Sequence, residues 1–175
     1  MTPMNEIDEP VRLVAYDSAW PDAYDQERFR IALAFGVFPS SGLVQHIGST
    51  AVPGLIAKPV IDIMLGVRSW PPQEQLIRGI GALGYENLGE AGVPERIYLR
   101  LRGDRNFNAH IVKRGGVHWT NNLALRDLLR GDAAARERYA AGKRAALEAG
   151  GGRLLAYSAA KNAIVAELLA GARER

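Results

Sequence analysis

The sequence contains no cysteine, which rules out a disulfide framework, a thiol nucleophile and a cysteine-ligated zinc. Aromatic residues make up only 7% of the chain, and nothing in it resembles the aromatic platform of an RNA-binding sheet. No uninterrupted apolar run approaches the roughly 18 residues of a membrane span, and no basic stretch leading into an apolar one opens the chain. A soluble, untargeted, cytoplasmic protein with no membrane partner is therefore expected. There is also no internal repeat, no low-complexity tract and no linker rich in Pro, Gly or Ser. What is present is ordinary globular usage, 47% hydrophobic and 23% charged over 175 residues, enough to bury one core without metals or cross-links. The expected organisation is a frayed tail over residues 1–10 and one domain over residues 11–175.

The net charge of +3 conceals an asymmetry: residues 1–95 carry 6 basic and 12 acidic side chains, residues 96–175 carry 16 and 7. The halves are thus −6 and +9. A basic half favours an anionic partner such as a nucleotide or another phosphorylated small molecule, although arginines in helices also serve solvated i,i+4 pairing. With no recognisable nucleic-acid motif, a nucleic-acid partner is not expected.

Periodicity supplies the elements. A short edge strand is expected at residues 11–15, and a helix from Ser18 or Pro21 to Phe35, with Tyr24, Phe29, Leu33 and Phe35 as its apolar face and Gly36 closing it. Residues 43–47 and 59–67 read as strands, the second β-branched and apolar enough for a sheet centre. A helix follows at 71–83. Alternating strands follow at 96–102 and 107–113, joined by a hairpin loop at 103–106. From His118 the period becomes helical, with segments at 119–130, 133–149 and 155–172 separated by glycines. Strands first and helices last give an α+β, or mixed α/β, layer with a helical C-terminal cover.

The chemistry concentrates between His46 and Asp62, where a strand, a small-residue loop and a second strand with one carboxylate follow each other. In the turn, Gly48 permits close approach, and the backbone N–H groups and hydroxyls of Ser49 and Thr50 can surround phosphate oxygens, with Lys58 adding a charge. Asp62, ionised within an apolar strand, needs a partner or a divalent cation. The alternative is structural: the glycines only turn the chain, Lys58 is solvated, and a loop satisfies Asp62. His46 fits a structural role, fixing the loop through a backbone hydrogen bond. His110 shares a strand face with Asn108 and would converge on Asp62 if the two strands are neighbours. His118 borders a helix. Arg126 either lies exposed beside Asp127 or turns inward to grip phosphate with its planar fork. Lys143 and Lys161, each four residues after a tyrosine, either lay their stems on the rings or form a basic rim.

The stretches HIGSTAVPGL at 46–55 and AKPVIDI at 57–63 closely resemble the signature of the GrpB family. The resemblance runs over residues 11–172, through Trp20-Pro21, NAHIV at 108–112, His118-Trp119, Leu125 to Asp127, Leu129-Arg130, and the Tyr139/Lys143 and Tyr157/Lys161 pairs. It implies a nucleotidyltransferase-like mixed β-sheet in which a Gly-Ser turn (Gly48, Ser49) holds a nucleotide phosphate and strand carboxylates hold magnesium. On that reading Asp62 is the metal ligand and, with His110, catalytic, while Gly48, Ser49, Thr50, Lys58 and Arg126 bind phosphate. The sequence departs from the active pattern at Met64, which stands where the paired carboxylate belongs. Period two puts Asp62 and Met64 on one face, so this strand alone does not build a two-metal clamp. Magnesium-dependent transfer and a catalytically silent phosphate-binding module both remain open at this point.

Overall fold

The computed structural model describes residues 7–173. Its centre is β2 (Ile61–Val67), the apolar run read as a sheet core, flanked by β1 (Val44–Ile47) antiparallel and β5 (Phe107–Lys113) parallel. β4 (Arg96–Leu101) pairs antiparallel with β5, and a two-residue edge, β3 (Glu86–Asn87), completes a mixed five-stranded sheet of order β1-β2-β5-β4-β3.

Period two sorts the two faces. Ile61, Ile63 and Leu65 of β2, Phe107, Ala109 and Ile111 of β5 and Leu99 of β4 form the main core beneath α1 (Trp20–Ala34) and α2 (Glu74–Gly81). The opposite face carries Asp62, Met64 and Gly66 alongside Asn108, His110 and Val112. It is covered by α3 (Val117–Gly131), α4 (Ala133–Ala149) and α5 (Leu154–Arg173), whose boundaries fall within three residues of those read from the sequence. Gly66 has a specific reason to lack a side chain: a Cβ there would stand 2.6 Å from the ring of Trp119 in α3.

Three expectations need correction. Residues 11–15 are not a strand; the chain there makes only isolated bridges, Pro10 to Arg153 and Val14 to Ala57. In α1, Phe29 and Leu33 point to solvent, because the stripe facing the sheet is Trp20, Tyr24, Glu27 and Ile31, and a buried glutamate occupies one of its positions. Glu27 is satisfied by the Tyr85 hydroxyl at 3.0 Å and by Arg30 at 2.7 Å. Of the expected tail, residues 1–6 lie outside the described residues, while residues 7–10 are docked. Glu9 grips Arg102 at 2.8 Å, its carbonyl accepts from Leu154 N–H, and Asp8 pairs with Arg153.

Among the described residues no helix is long and apolar enough to cross a membrane.

Candidate functional site

A cavity of about 510 Å³ opens between the β2–β5–β4 face and helices α3 and α5. Parallel pairing of β2 with β5 sets Asp62 beside Asn108 and Met64 beside His110. Asp62 Oδ1 thereby accepts from Asn108 Nδ2 at 2.7 Å and lies 3.2 Å from His110 Nε2. Asn108 is fixed in turn: its Oδ1 accepts from the Tyr98 hydroxyl at 2.9 Å and from Arg102 at 3.0 Å. Tyr98 also stacks on His110, ring centres 5.3 Å apart, and the Arg96 guanidinium lies over the Tyr98 ring, 5.0 Å from its centre.

Burial works against ionisation of Asp62, but the hydrogen bond and charge of His110, then Lys58 and Asn108, hold its carboxyl well below the usual range. Burial likewise pushes His110 below its ordinary pKa, against the pull of Asp62. At neutral pH the pair is therefore a carboxylate accepting from a neutral imidazole.

The loop between the two strands comes against this carboxylate. Gly48 has φ +71°, and a Cβ on it would stand 2.6 Å from Asp62 Oδ2, so only glycine lets the turn close here. Beyond the turn, Val52 and Leu55 plug into a cluster with Leu129, Tyr139 and Leu168 of the C-terminal helices. Two cations take the loop's outward groups. Arg130 Nε donates to the Ala51 carbonyl at 2.8 Å, and Lys143 Nζ donates to the Ile56 carbonyl and to Ser49 Oγ, the latter at 2.8 Å. Lys143 is 1% exposed, and burial, reinforced by Lys161, pushes it down to about 7.

Of the residues read from the sequence, the structure brings Gly48, Lys58, Asp62, His110 and Arg126 to the cavity wall. Arg126 turns inward rather than lying exposed: its Nε meets Asp127 at 2.7 Å while its Nη1 donates to Gln45 Oε1 at 2.9 Å and to the His46 carbonyl. Adjacent helical residues do pair here, because the guanidinium bends back over its own turn. Ser49 and Thr50 are placed differently from the expectation. The Ser49 hydroxyl is engaged by Lys143, and Thr50, 1% exposed, meets His46 Nε2 at 3.0 Å on the far side of the loop. His46 thus fixes the loop through a side-chain hydroxyl rather than the backbone, under the stacked ring of Tyr24. Lys143 and Lys161 lie on their tyrosine rings, 5.5 Å from each centre. Lys161 also lines the cavity. Arg96 and Tyr98 were not among the candidate site residues, and Arg130 entered only through the family resemblance, without a role; the alternation of β4 placed Arg96 and Tyr98 on one face, but only the register with β5 sets Tyr98 opposite His110.

His46 gives the loop an acid sensitivity. Burial lowers its pKa to about 4, so its contribution to stability is present above pH 6.5 and is lost as pH falls from 6.5 to 4. That interval corresponds to about 3 kcal/mol. Urea denaturation across it should show the loss, and His46→Gln should flatten the slope; an unchanged slope would assign the sensitivity elsewhere.

Magnesium does not suit these donors. Asp62 is the one carboxylate on its strand face and its Oδ1 is already engaged. Met64 is fully buried against Ile47, Val112, Trp119 and Leu123, and among the described residues no three of His, Asp and Glu gather as a ligand set. A hard, six-coordinate cation prefers several oxygen ligands.

The family model for GrpB protein matches residues 10–171. A UPF0157 protein of Streptomyces coelicolor is 36% identical over 155 residues, covering 89% of this chain and 80% of that one. The UPF0157 protein YqkA of Bacillus subtilis is 35% identical over 121 residues, but they make up 69% of this chain and only 35% of YqkA. A protein of Mycolicibacterium paratuberculosis named dephospho-CoA kinase is 32% identical over 87% of this chain, which spans 43% of it. In three dimensions the chain superposes on the crystal structure of GrpB from Enterococcus faecalis with a TM-score of 0.74 and 28% identity, covering 91% and 98% of the two chains. It matches the Cid1 poly(U) polymerase at 0.51 and 16% identity, over 90% of this chain and 50% of that one, a likeness of fold alone. The fold is accordingly nucleotidyltransferase-like, and the chain belongs to the GrpB family.

Proposed function

We propose that this chain binds a nucleotide or a related phosphorylated small molecule in the cavity over β2, β5 and β4, as a binding module rather than a two-metal transferase. The observation that supports it is the charge of the wall: Lys58, Arg96, Arg126 and Lys161 surround a cavity that contains one carboxylate, Asp62. Such a wall in a partly dehydrated setting attracts anions and repels cations. Its volume falls within the usual range for small-molecule sites, and Leu125, Leu129 and Val165 supply apolar surface for a base or another ring.

The proposed roles follow from position. Lys58 and Lys161 meet the phosphoryl charge. Arg126, anchored to β1 by Gln45, offers a guanidinium edge, and neutral His110 with Tyr98 orients the ligand's polar groups. Asp62 keeps the Gly48 turn, Asn108 and His110 in register, and the cytoplasm is where such ligands are plentiful. The relative named for dephospho-CoA, itself a nucleotide, is in keeping with this ligand class.

A panel of nucleotides and sugar phosphates should raise the melting temperature. At about 100 times the dissociation constant the stabilisation is about 2.7 kcal/mol. No shift with any phosphorylated compound would overturn the proposal.

A further inference from the structure

We propose that the phosphoryl group is neutralised by Lys58 and Lys161 at the wall, backed by Lys143 behind the Gly48–Ser49 turn, without a divalent metal; this rests on the phosphorylated ligand proposed above. These lysines come from the loop before β2, from α5 and from α4, and converge on the same small region around Asp62. Lys58, Lys161 and Asp62 line one cavity, and Lys143 reaches it from behind through Ser49 and Ile56 on the loop that joins β1 to β2, so that all three ammoniums also feel the charge of Asp62.

Among the described residues, none of the three forms an ion pair with a carboxylate: Lys143 donates to a hydroxyl and a carbonyl, and Lys161 sits over the Tyr157 ring. The close cation–carboxylate contacts seen among the described residues are made by arginines and His110. Lys143 is buried and Lys58 half-buried, and the loss of water lowers the pKa of both, as expected of ammonium groups without a counter-ion; half-buried Lys161 is held charged, by Tyr139 first. Asp62 is the one carboxylate in a wall that carries Lys58, Lys161, Arg96 and Arg126, with Lys143 behind it, so positive charge is in excess there. A terminal phosphate monoester, at about −1.5 to −2 near neutral pH, offsets more of that excess than a diester with its single charge, and so matches the wall better.

A magnesium ion brought in with the ligand would reverse this match. It would add two positive charges to a wall already cationic, and it would find one half-engaged carboxylate in place of the oxygen set it prefers. The lysines thus occupy the electrostatic place that metal ions take on carboxylate-rich sheets.

Calorimetric titration with ADP and with inorganic pyrophosphate, in EDTA and then in excess magnesium chloride, tests this. The expected result is binding in EDTA at least as tight as in magnesium, and a loss of about tenfold or more in Lys58→Met and in Lys161→Met. Lys161→Arg, which keeps the charge, should retain most of the affinity, and circular dichroism confirms that each variant is folded. Binding seen only with magnesium, or lysine variants that bind like the wild type, overturns the inference while leaving the ligand class intact. No binding of either probe in either buffer overturns the ligand class and this inference together.

Discussion

Replacing Met64 with aspartate is expected to destabilise the protein by about 3–5 kcal/mol and to recruit no magnesium. The substitution recreates, in sequence, the alternating pair of carboxylates that a metal-dependent strand carries. In the structure, however, position 64 is completely buried and walled by Ile47, Val112, Trp119 and Leu123. A carboxyl group there has no cation beside it and an ionised neighbour, Asp62, on the same face, so it either stays protonated or forces α3 away from the sheet. The apolar control Met64→Leu preserves volume and should cost less than about 1.5 kcal/mol. Urea denaturation of the three proteins at neutral pH, with and without magnesium, measures both parts. A Met64→Asp protein as stable as the wild type and stabilised by magnesium would show that the face under α3 is an open metal site.

Lys143→Met should act in the opposite direction, stabilising the fold while weakening the site. The sign follows from linkage. The folded pKa of Lys143 is depressed to about 7 from 10.5, through burial first and then repulsion from Lys161, Lys58 and Arg144, with Asp62 opposing. Stability from this group is therefore lowest below pH 7, where both states carry the proton, and rises as pH goes from 7 to 10.5, where only the unfolded chain holds it. The full interval amounts to about 5 kcal/mol. Methionine removes that penalty but leaves the Ile56 carbonyl and the Ser49 hydroxyl without their donor, a loss of about 1–3 kcal/mol. A net gain of about 2–4 kcal/mol at pH 6 is expected, together with a flat profile between pH 7 and 10. Denaturation at pH 6, 8 and 10 checks it; a variant less stable than the wild type at pH 6 would mean that the two hydrogen bonds outweigh the buried charge. A lysine buried at this cost to stability fits a place beside an anion.

The strands around the site were legible because each carries its own period: the β-branched run of β2 and the alternation of β4 and β5 needed no tertiary information. The three C-terminal helices were legible from the glycines between them. The face of α1 was not, since counting apolar residues selects Phe29 and Leu33 and passes over Glu27, whose burial depends on Tyr85, 58 residues away. The two residues of β3 are too few to show any period.

Within the site, the proximity of His110 to Asp62 was foreseeable only on condition that two strands 46 residues apart become neighbours, which the register now supplies. The hydroxyls of the loop were misjudged for a related reason. Ser49 and Thr50 look equivalent in sequence, yet the 3-10 turn Ser49–Ala51 sends one to Lys143 and the other to His46. Lys143 does lie on the tyrosine ring as its i,i+4 spacing suggests; that its ammonium ends beneath the loop is set by the close approach of α4 and α5, where a Cβ at Gly142 would stand 3.0 Å from Ile164.

The parallel pairing of β2 with β5 also governs when the site exists. A parallel ladder cannot close by a tight turn, and this one must bring Ile61 to Phe107 across the α2 and β3–β4 segments before Asp62 and Asn108 meet. Contacts so distant along the chain form slowly during folding. A chain that has folded β3, β4 and β5 as a local meander but not yet docked β2 has no cavity for an anion. Ligand is therefore expected to leave the refolding rate nearly unchanged and to express its stabilisation as slower unfolding, lengthening the lifetime of the assembled protein rather than hastening its birth.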